Sequence, residues 1–92
     1  MEKRMLVLAT GDNVGVLMED AAKGDIAVCK DISVTCLDDV PYCHKVALTD
    51  IPRHENFIKY GEIIGYAMRD IKKGEWVHTH NLDDIKAREG ML

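Results

Sequence analysis

Short apolar or alternating segments, separated by turn residues, make up most of this chain. The clearest segment is Ile32–Leu37, in which apolar and polar residues alternate with the two-residue period of a half-buried strand. Gly, Pro, Asp and Asn cluster between the segments, where a chain reverses direction. This pattern predicts the strands Met5–Ala9, Val14–Met18, Ile26–Cys29, Ile32–Leu37, His44–Leu48, Phe57–Tyr60, Ile63–Met68 and Trp76–His80.

The tail is the one stretch that departs from the strand pattern. Within Leu82–Gly90, the spacing of Leu82, Ile85 and Glu89 is helical, and it predicts one or two helical turns. We therefore expect a mainly β chain with a domain over residues 1–82 and a short helical tail over residues 83–92.

A weak internal repeat adds to this picture. Ala47–Glu55 returns twenty residues later as Ala67–Glu75, and Asp20–Asp25 is a shorter echo upstream. Each copy places Asp after a strand, and Asp accepts hydrogen bonds from nearby backbone amides in tight turns. The copies are too few and too irregularly spaced for a solenoid. They predict approximate internal symmetry in a compact, barrel-like or clip-like β domain.

Size and charge narrow the function classes. A 92-residue chain with five aromatic residues builds a small core, which self-association or a partner would supplement. The net charge is −4, with the signs interspersed, so a nucleic-acid-binding stripe is absent. No apolar run approaches the length of a membrane span. We expect a cytoplasmic protein without a nucleic-acid or membrane partner.

The cysteines agree with a reducing compartment. Cys29, Cys36 and Cys43 are an odd number, and their seven-residue spacing is not that of a zinc or iron–sulfur site. We interpret Cys29 and Cys36 as small buried residues on strands. Cys43, which precedes His44 in a predicted turn, is the only one of the three with a chance of chemistry.

Three stretches carry a family resemblance when they are read together and in order. His44–Ile51, Ile58–Ala67 and Trp76–Asn81 closely resemble the SAF-type N-terminal domain of the altronate and galactarate dehydratase family, and the early turn at Asp12–Val14 fits as well. The resemblance covers nearly the whole chain. Two departures stand out: Cys43 replaces the usual Gly before His-Lys, and Arg53-His54 replaces a common Lys-Gly turn.

This resemblance implies a fold and a class of reaction. The implied fold is a β-clip, and the implied activity is that of a lyase completed by a much larger catalytic subunit or domain. As a separate chain it is similar to the small subunit of split members, such as the sulfolactate sulfo-lyase α subunit. The implied substrate is a small sugar acid or a sulfolactate-type molecule. The implied cofactor is a divalent metal, iron or manganese, held mainly by the larger chain.

The best candidate site lies at the end of the last predicted strand. His78 and His80 are two residues apart, so a strand would place both imidazoles on one face. Two such imidazoles can share a metal, with Asn81 adding an oxygen ligand or orienting the substrate. The alternative is an exposed strand end with two solvated histidines. Position in the family pattern favours a catalytic and metal-binding role for His78 and His80.

Further candidates come from the other matching stretches. His44 can act as an acid or base near neutral pH, and Lys45 can bind a carboxylate. Lys59 and Tyr60 are expected on opposite faces of a strand, so only one of them would face a given ligand. The remaining substrate-binding candidates are Asp12 and Asn13, for which a simple turn is the alternative.

Two side chains receive no site role. His54 lies in a turn where the family has Gly. Trp76 is assigned to the core or to the surface that meets the larger chain.

Three functions remain open at this point. The first is a lyase subunit that contributes polar residues to a site completed elsewhere. The second is a module that binds carbohydrate acids without catalysis, and the third is a purely structural assembly or regulatory role. A fold shared by several functions does not decide among them.

Overall fold

The computed structural model describes residues 1–78 and the strand 82–84, and the regular structure of that part is β. The strands, in chain order, are β1 (Glu2–Leu6), β2 (Val14–Leu17), β3 (Ile26–Cys29), β4 (Ile32–Thr35), β5 (Lys45–Ala47), β6 (Asn56–Lys59), β7 (Glu62–Ala67), β8 (Trp76–Val77) and β9 (Leu82–Asp84). The first eight coincide with or overlap the eight predicted strands, so the mainly β prediction is confirmed.

The strands form two sheets. Six strands lie in the order β4-β3-β1-β2-β5-β8, and three lie in the order β6-β7-β9. β1 and β3 pair in parallel, whereas the other neighbours pair antiparallel. Within the described residues, no helix is long and apolar enough to cross a membrane.

The predicted helical tail is wrong where the structure describes it. Leu82–Asp84 is β9, and it pairs antiparallel with β7, with Leu82 opposite Ala67. One or two isolated helical turns are unstable in water, whereas a strand can satisfy the unpaired backbone groups at the edge of β7. Residues 85–92 of the predicted tail lie outside the described part of the chain. The domain boundary between residues 82 and 83 stays a prediction.

Two apolar clusters hold the sheets. The first consists of Met5, Leu17, Ala21, Ala27, Val34, Cys36, Val40 and Val46. The second consists of Val14, Ala47, Ile51, Phe57, Ala67, Ile71 and Val77. Among the described residues, Phe57 is the only fully buried aromatic side chain, and the half-buried Trp76 packs against the first cluster, so the core depends mainly on aliphatic side chains.

Four copies of a nine-residue turn motif connect the strands: Leu17–Asp25, Cys36–His44, Ala47–Glu55 and Ala67–Glu75. Each copy begins with a buried residue, carries Asp at its fourth position and a buried apolar residue at its fifth, and has positive φ at its eighth. The Cys36–His44 copy was missed in the sequence. Its eighth and ninth residues are Cys43 and His44, whereas two of the other copies have a glycine followed by an acid at these positions. This difference obscures the similarity in the sequence.

The copies pair reciprocally, the first with the second and the third with the fourth. Ala21 and Val40 form an antiparallel bridge, and each donates its backbone N–H to the other's carbonyl. Ile51 and Ile71 do the same in the second pair. The structure therefore contains the approximate internal symmetry that the repeat predicted.

Candidate functional site

His44 and His78 come together because of the pairing between β5 and β8. Lys45 lies opposite Val77 and Val46 lies opposite Trp76, so the next antiparallel pair outward is His44 and His78. Their ring centroids are 4.4 Å apart and their planes are tilted by 31°. The structure thus joins two histidines that the sequence nominated separately.

Trp76 completes this group, which we call the His44–Trp76–His78 cluster. Trp76 and His78 are two residues apart on one strand face, and their rings stack nearly parallel, at 7° and 5.6 Å between centroids. The Trp76 indole Nε1–H donates a hydrogen bond to His44 Nδ1 at 3.1 Å. Sequence reasoning missed Trp76 as a site residue, although its two-residue offset from His78 was a usable signal.

The surroundings of His44 favour its neutral form. Burial lowers the pKa of His44 below its usual 6.5, and the nearby His78 and Lys45 lower it further. A neutral imidazole carries one acceptor nitrogen and one N–H donor. The cluster therefore offers a neutral imidazole in a half-buried position.

Cys43 adopts an unusual backbone conformation directly before His44. Its φ is +69°, in the left-handed region that favours glycine, the residue that the resemblance implies at this point. Its side chain is exposed, and the side-chain hydrogen bond that the Tyr42 hydroxyl donates to Cys43 raises the pKa of Tyr42. Cys36 is buried, as predicted, and burial raises the pKa of its thiol, with Asp25 and Asp38 adding to the effect.

Asp12 and Asn13 lie away from this cluster in backbone contacts of their own. Asp12 accepts hydrogen bonds from the backbone N–H groups of Gly61 at 2.8 Å and Ala9 at 3.2 Å. Burial acts to raise the pKa of Asp12, but these amides outweigh it and the pKa is lowered. Oδ1 therefore ties this loop to the turn between β6 and β7, Oδ2 bonds within its own loop, and a contact with substrate by Asp12 stays a prediction.

Asn13 acts as a clamp on β6. Its Oδ1 accepts from the Ile58 backbone N–H at 2.7 Å, and its Nδ2 donates to the Asn56 carbonyl at 2.8 Å. Its own backbone N–H also donates to the Ile58 carbonyl at 3.1 Å. Asn13 thus ties the loop before β2 to the smaller sheet, and its role toward substrate likewise stays a prediction.

Lys59 and Tyr60 do not alternate as predicted. Tyr60 leaves the strand with a φ of +55°, in a two-residue turn with Gly61, and the Lys59 Nζ lies 5.1 Å from the centroid of the Tyr60 ring. The expectation of opposite faces is wrong because the strand ends at Lys59.

Lys45 is half-buried at the start of β5, directly after His44.

The predicted metal pair lies only partly within the described residues, which include His78. His80 and Asn81 lie outside them. Among residues 1–78 and 82–84, no three His, Cys, Asp or Glu side chains are grouped so that they could hold a metal ion. The one described acceptor nitrogen of His44 is taken by the indole. The described donors alone therefore do not fit a metal site.

A cleft adjoins Trp76 and contains an ion pair that the sequence did not suggest. Arg69 and Glu75 form a salt bridge at 2.7 Å, and the Trp76 backbone N–H donates to Asp38 Oδ2 at 3.0 Å. These residues line the cleft together with Leu37 and Asp39. The Arg69 guanidinium thus lies beside the His44–Trp76–His78 cluster, and it is paired with the Glu75 carboxylate.

Residues 3–85 match the family model described as the altronate/galactarate dehydratase SAF domain. The chain is 49% identical to altronate dehydratase of Escherichia coli (strain K12) over 70 residues, which are 76% of this chain and 14% of that protein. It is 35% identical to altronate dehydratase of Bacillus subtilis (strain 168) over 88 residues, 91% of this chain and 18% of that protein.

A shorter relative has a different name. The chain is 43% identical to the (2R)-sulfolactate sulfo-lyase subunit alpha of Paracoccus pantotrophus over 51 residues, 55% of this chain and 76% of that protein. The altronate dehydratases are much longer than the part matched here, since the chain spans less than a fifth of their length.

Proposed function

Because the chain belongs to the family of altronate/galactarate dehydratase SAF domains, we propose that it is the small subunit or N-terminal domain of a sugar-acid dehydratase-type lyase. In this proposal, it contributes polar residues to a site that a larger catalytic chain completes. The proposal rests on one observation above the others, the 4.4 Å approach of His44 and His78 within a sequence that matches lyases.

The chemistry explains why two imidazoles matter. Elimination from a sugar acid removes a weakly acidic proton next to the carboxylate and expels a poor leaving group. Such a reaction gains from groups that donate or accept protons at neutral pH, and from donors directed at the charge that develops on oxygen. His44 and His78 are such groups, and β8 is the last strand of the six-stranded sheet, so the cluster lies at a sheet edge.

The larger chain supplies what this chain does not carry. It would hold most of the residues around the substrate and also the divalent metal, iron or manganese, that the resemblance implies. His78, His80 and Asn81 would add to that centre from this chain. We derive no step through the metal, since the described donors alone do not form its site.

The substrate is a small sugar acid such as altronate or galactarate, or a sulfolactate-type molecule. The relatives are named as an altronate dehydratase and a (2R)-sulfolactate sulfo-lyase subunit. Loss of water and loss of sulfite are related β-eliminations, so one small chain of this kind suits either reaction. The compartment proposed is the cytoplasm, which suits the three free thiols Cys29, Cys36 and Cys43.

Reconstitution tests the proposal. The chain is co-expressed with a large dehydratase-like chain from the same genome, and turnover of altronate, galactarate and (2R)-sulfolactate is measured with and without the small chain. We expect turnover of one substrate that depends on both chains. Failure to copurify, with no restored turnover on any of the three, contradicts the proposal.

Variants then separate a catalytic role from an assembly role. We expect His44→Ala and His78→Ala to lower turnover by about 100-fold or more, the range for loss of a proton-transferring group. The matched control is His54→Gly, which removes an exposed histidine whose φ of +75° favours glycine. If the complex forms and both alanine variants keep the rate, an assembly or regulatory role replaces the catalytic one. If the isolated chain binds the acid without a partner, it is a binding module.

A further inference from the structure

His44 occupies a position at which the other three copies of the turn motif have an acid: Asp25, Glu55 and Glu75. The turn itself does not need the histidine. The backbone N–H at this ninth position donates to the residue three before it in all four copies, at 2.9 to 3.0 Å. The side chain at position 44 is therefore the part that differs.

Pro41 removes one contact that the acid makes in two of the other copies. In two copies the acid accepts a second hydrogen bond from its own turn, Asp25 from the Ala22 N–H at 2.9 Å and Glu75 from the Lys72 N–H at 3.3 Å. The corresponding residue is Pro41 in the His44 copy and Pro52 in the Glu55 copy, and proline has no N–H to donate. A carboxylate here would have no donor from its turn, so the side chain is available for a contact elsewhere.

That contact is the hydrogen bond from Trp76. The indole nitrogen is only a donor, so the nitrogen that it meets, His44 Nδ1, must be an unprotonated acceptor. A neutral imidazole whose Nδ1 is unprotonated carries its proton on Nε2. In this way, the hydrogen bond that one ring nitrogen of a histidine makes determines whether the other nitrogen carries the proton.

From this geometry we propose that Trp76 is a positioning residue that holds His44 as the Nε2–H tautomer, so that His44 presents a hydrogen-bond donor to an anionic oxygen of the substrate. The role of His44 toward substrate rests on the proposed lyase function, whereas the tautomer does not. The assignment distinguishes His44 from His78: His44 Nδ1 is engaged, and its Nε2–H cannot serve as a metal ligand while it carries its proton.

The tautomer can be read directly in the full 92-residue chain by nuclear magnetic resonance. Long-range ¹H–¹⁵N spectra of the histidine side chains distinguish Nδ1–H from Nε2–H, and His44→Ala assigns the signals. The sequence has one Trp, so its single indole N–H signal is unambiguous. We expect the Nε2–H pattern for His44 and a scalar coupling between the indole nitrogen and His44 Nδ1 across the hydrogen bond.

Two variants and a control make the test decisive. Trp76→Phe keeps an aromatic ring but removes the donor, so His44 should become a mixture of tautomers. His44→Ala should shift the indole N–H signal, which keeps the test valid if Trp76→Phe does not fold. His54→Gly should leave both signals unchanged. An Nδ1–H pattern in the unaltered chain, or an indole signal that ignores His44→Ala, overturns the proposal.

The activity of the reconstituted lyase is measured independently of the His44 tautomer. In the reconstituted lyase, Trp76→Phe should lower kcat by about 10- to 100-fold, as expected when the partner that orients a functional histidine is lost. It should change KM less than kcat, because Trp76 itself does not touch the substrate in this proposal. Absence of turnover in every reconstitution contradicts the lyase function but not the tautomer. An unchanged kcat in a folded, active Trp76→Phe complex contradicts the positioning role.

Discussion

Asp50 and Asp70 cap each other's turns. The Asp50 carboxylate accepts the backbone N–H of Lys73 at 2.9 Å, and the Asp70 carboxylate accepts the backbone N–H of Arg53 at 2.9 Å. The bridge between Ile51 and Ile71 lies between these two bonds. Asp20 and Asp39 repeat the arrangement with Tyr42 and Lys23 in the other pair of turns, at 2.8 Å each. Because both pairs of turns share this geometry, each of the four Asp residues has a structural role.

We expect Asp50→Ala and Asp70→Ala each to lower the free energy of unfolding by about 1 kcal/mol, the typical value of an exposed capping hydrogen bond. For a chain of this size, the melting temperature should fall by about 4–8 °C. Chemical denaturation measures the loss. Because both carboxylates act on one bridge, the double variant should lose less than the sum of the single variants.

The control for this prediction is Glu2→Ala, which removes an exposed negative charge at the start of β1. Its stability should stay within about 0.5 kcal/mol of the unaltered chain. Equal losses in the control and the Asp variants would mean that charge, rather than capping, determines the effect.

Asp12 predicts an acid-sensitive component of stability. Backbone amides hold its pKa below the usual 3.8 in the folded chain, despite the opposing effect of burial. The unfolded chain therefore takes up its proton first as the pH falls. The stabilisation is fully present above the unfolded value and is lost as the pH falls through the lower folded value. Unfolding monitored by denaturant between pH 2 and pH 5 (roughly the range that carboxyl groups titrate) measures it.

The Asp12→Asn variant isolates that component. It should be less stable at neutral pH, because an amide nitrogen cannot accept the second backbone hydrogen bond, and its stability should fall less steeply below the usual Asp pKa. Glu19 and Asp25 also have lowered pKa values, so part of the acid dependence should persist. An unchanged slope in the variant would show that Asp12 contributes no acid sensitivity.

Asn13 should matter for stability whether or not it meets a substrate. Asn13→Ala leaves the Ile58 N–H and the Asn56 carbonyl without their side-chain partner, and we expect a loss of about 2 kcal/mol in the free energy of unfolding. Asn56→Ala is the matched control, because it removes the exposed side chain and keeps the carbonyl that Asn13 binds. Thermal unfolding of the two variants compares them. Similar losses would contradict the clamp.

Local patterns in the sequence predicted most of the fold, whereas the contacts of the site depend on pairing between distant strands. Alternation and turn residues located the strands, since both depend on neighbours in the chain. His44 and His78 were nominated from separate stretches, and only the β5–β8 register brings them together. The hydrogen bond from Trp76 to His44 joins residues 32 positions apart, which no periodicity reports.

Gly24 and Gly74 provide a matched pair for the turn motif. Both occupy its eighth position, with φ of +93° and +92°, so an alanine at either site has the same backbone penalty of about 1–2 kcal/mol. Their surroundings differ. A Cβ on Gly24 would meet nothing within 4 Å, whereas a Cβ on Gly74 would clash with the Thr35 carbonyl oxygen and approach Leu37 Cγ at 3.2 Å.

We therefore expect Gly24→Ala to lower the free energy of unfolding by about 1 kcal/mol and Gly74→Ala by about 3 kcal/mol or more, since a backbone carbonyl cannot move aside as a flexible side chain does. His54→Gly, at the same position of the third copy, should raise stability, because glycine relieves the positive φ of +75°. Denaturant midpoints at equal m-values rank the three. Equal losses at Gly24 and Gly74 would mean that the turn before β8 moves away from Thr35, and that the φ penalty alone sets the cost of both substitutions.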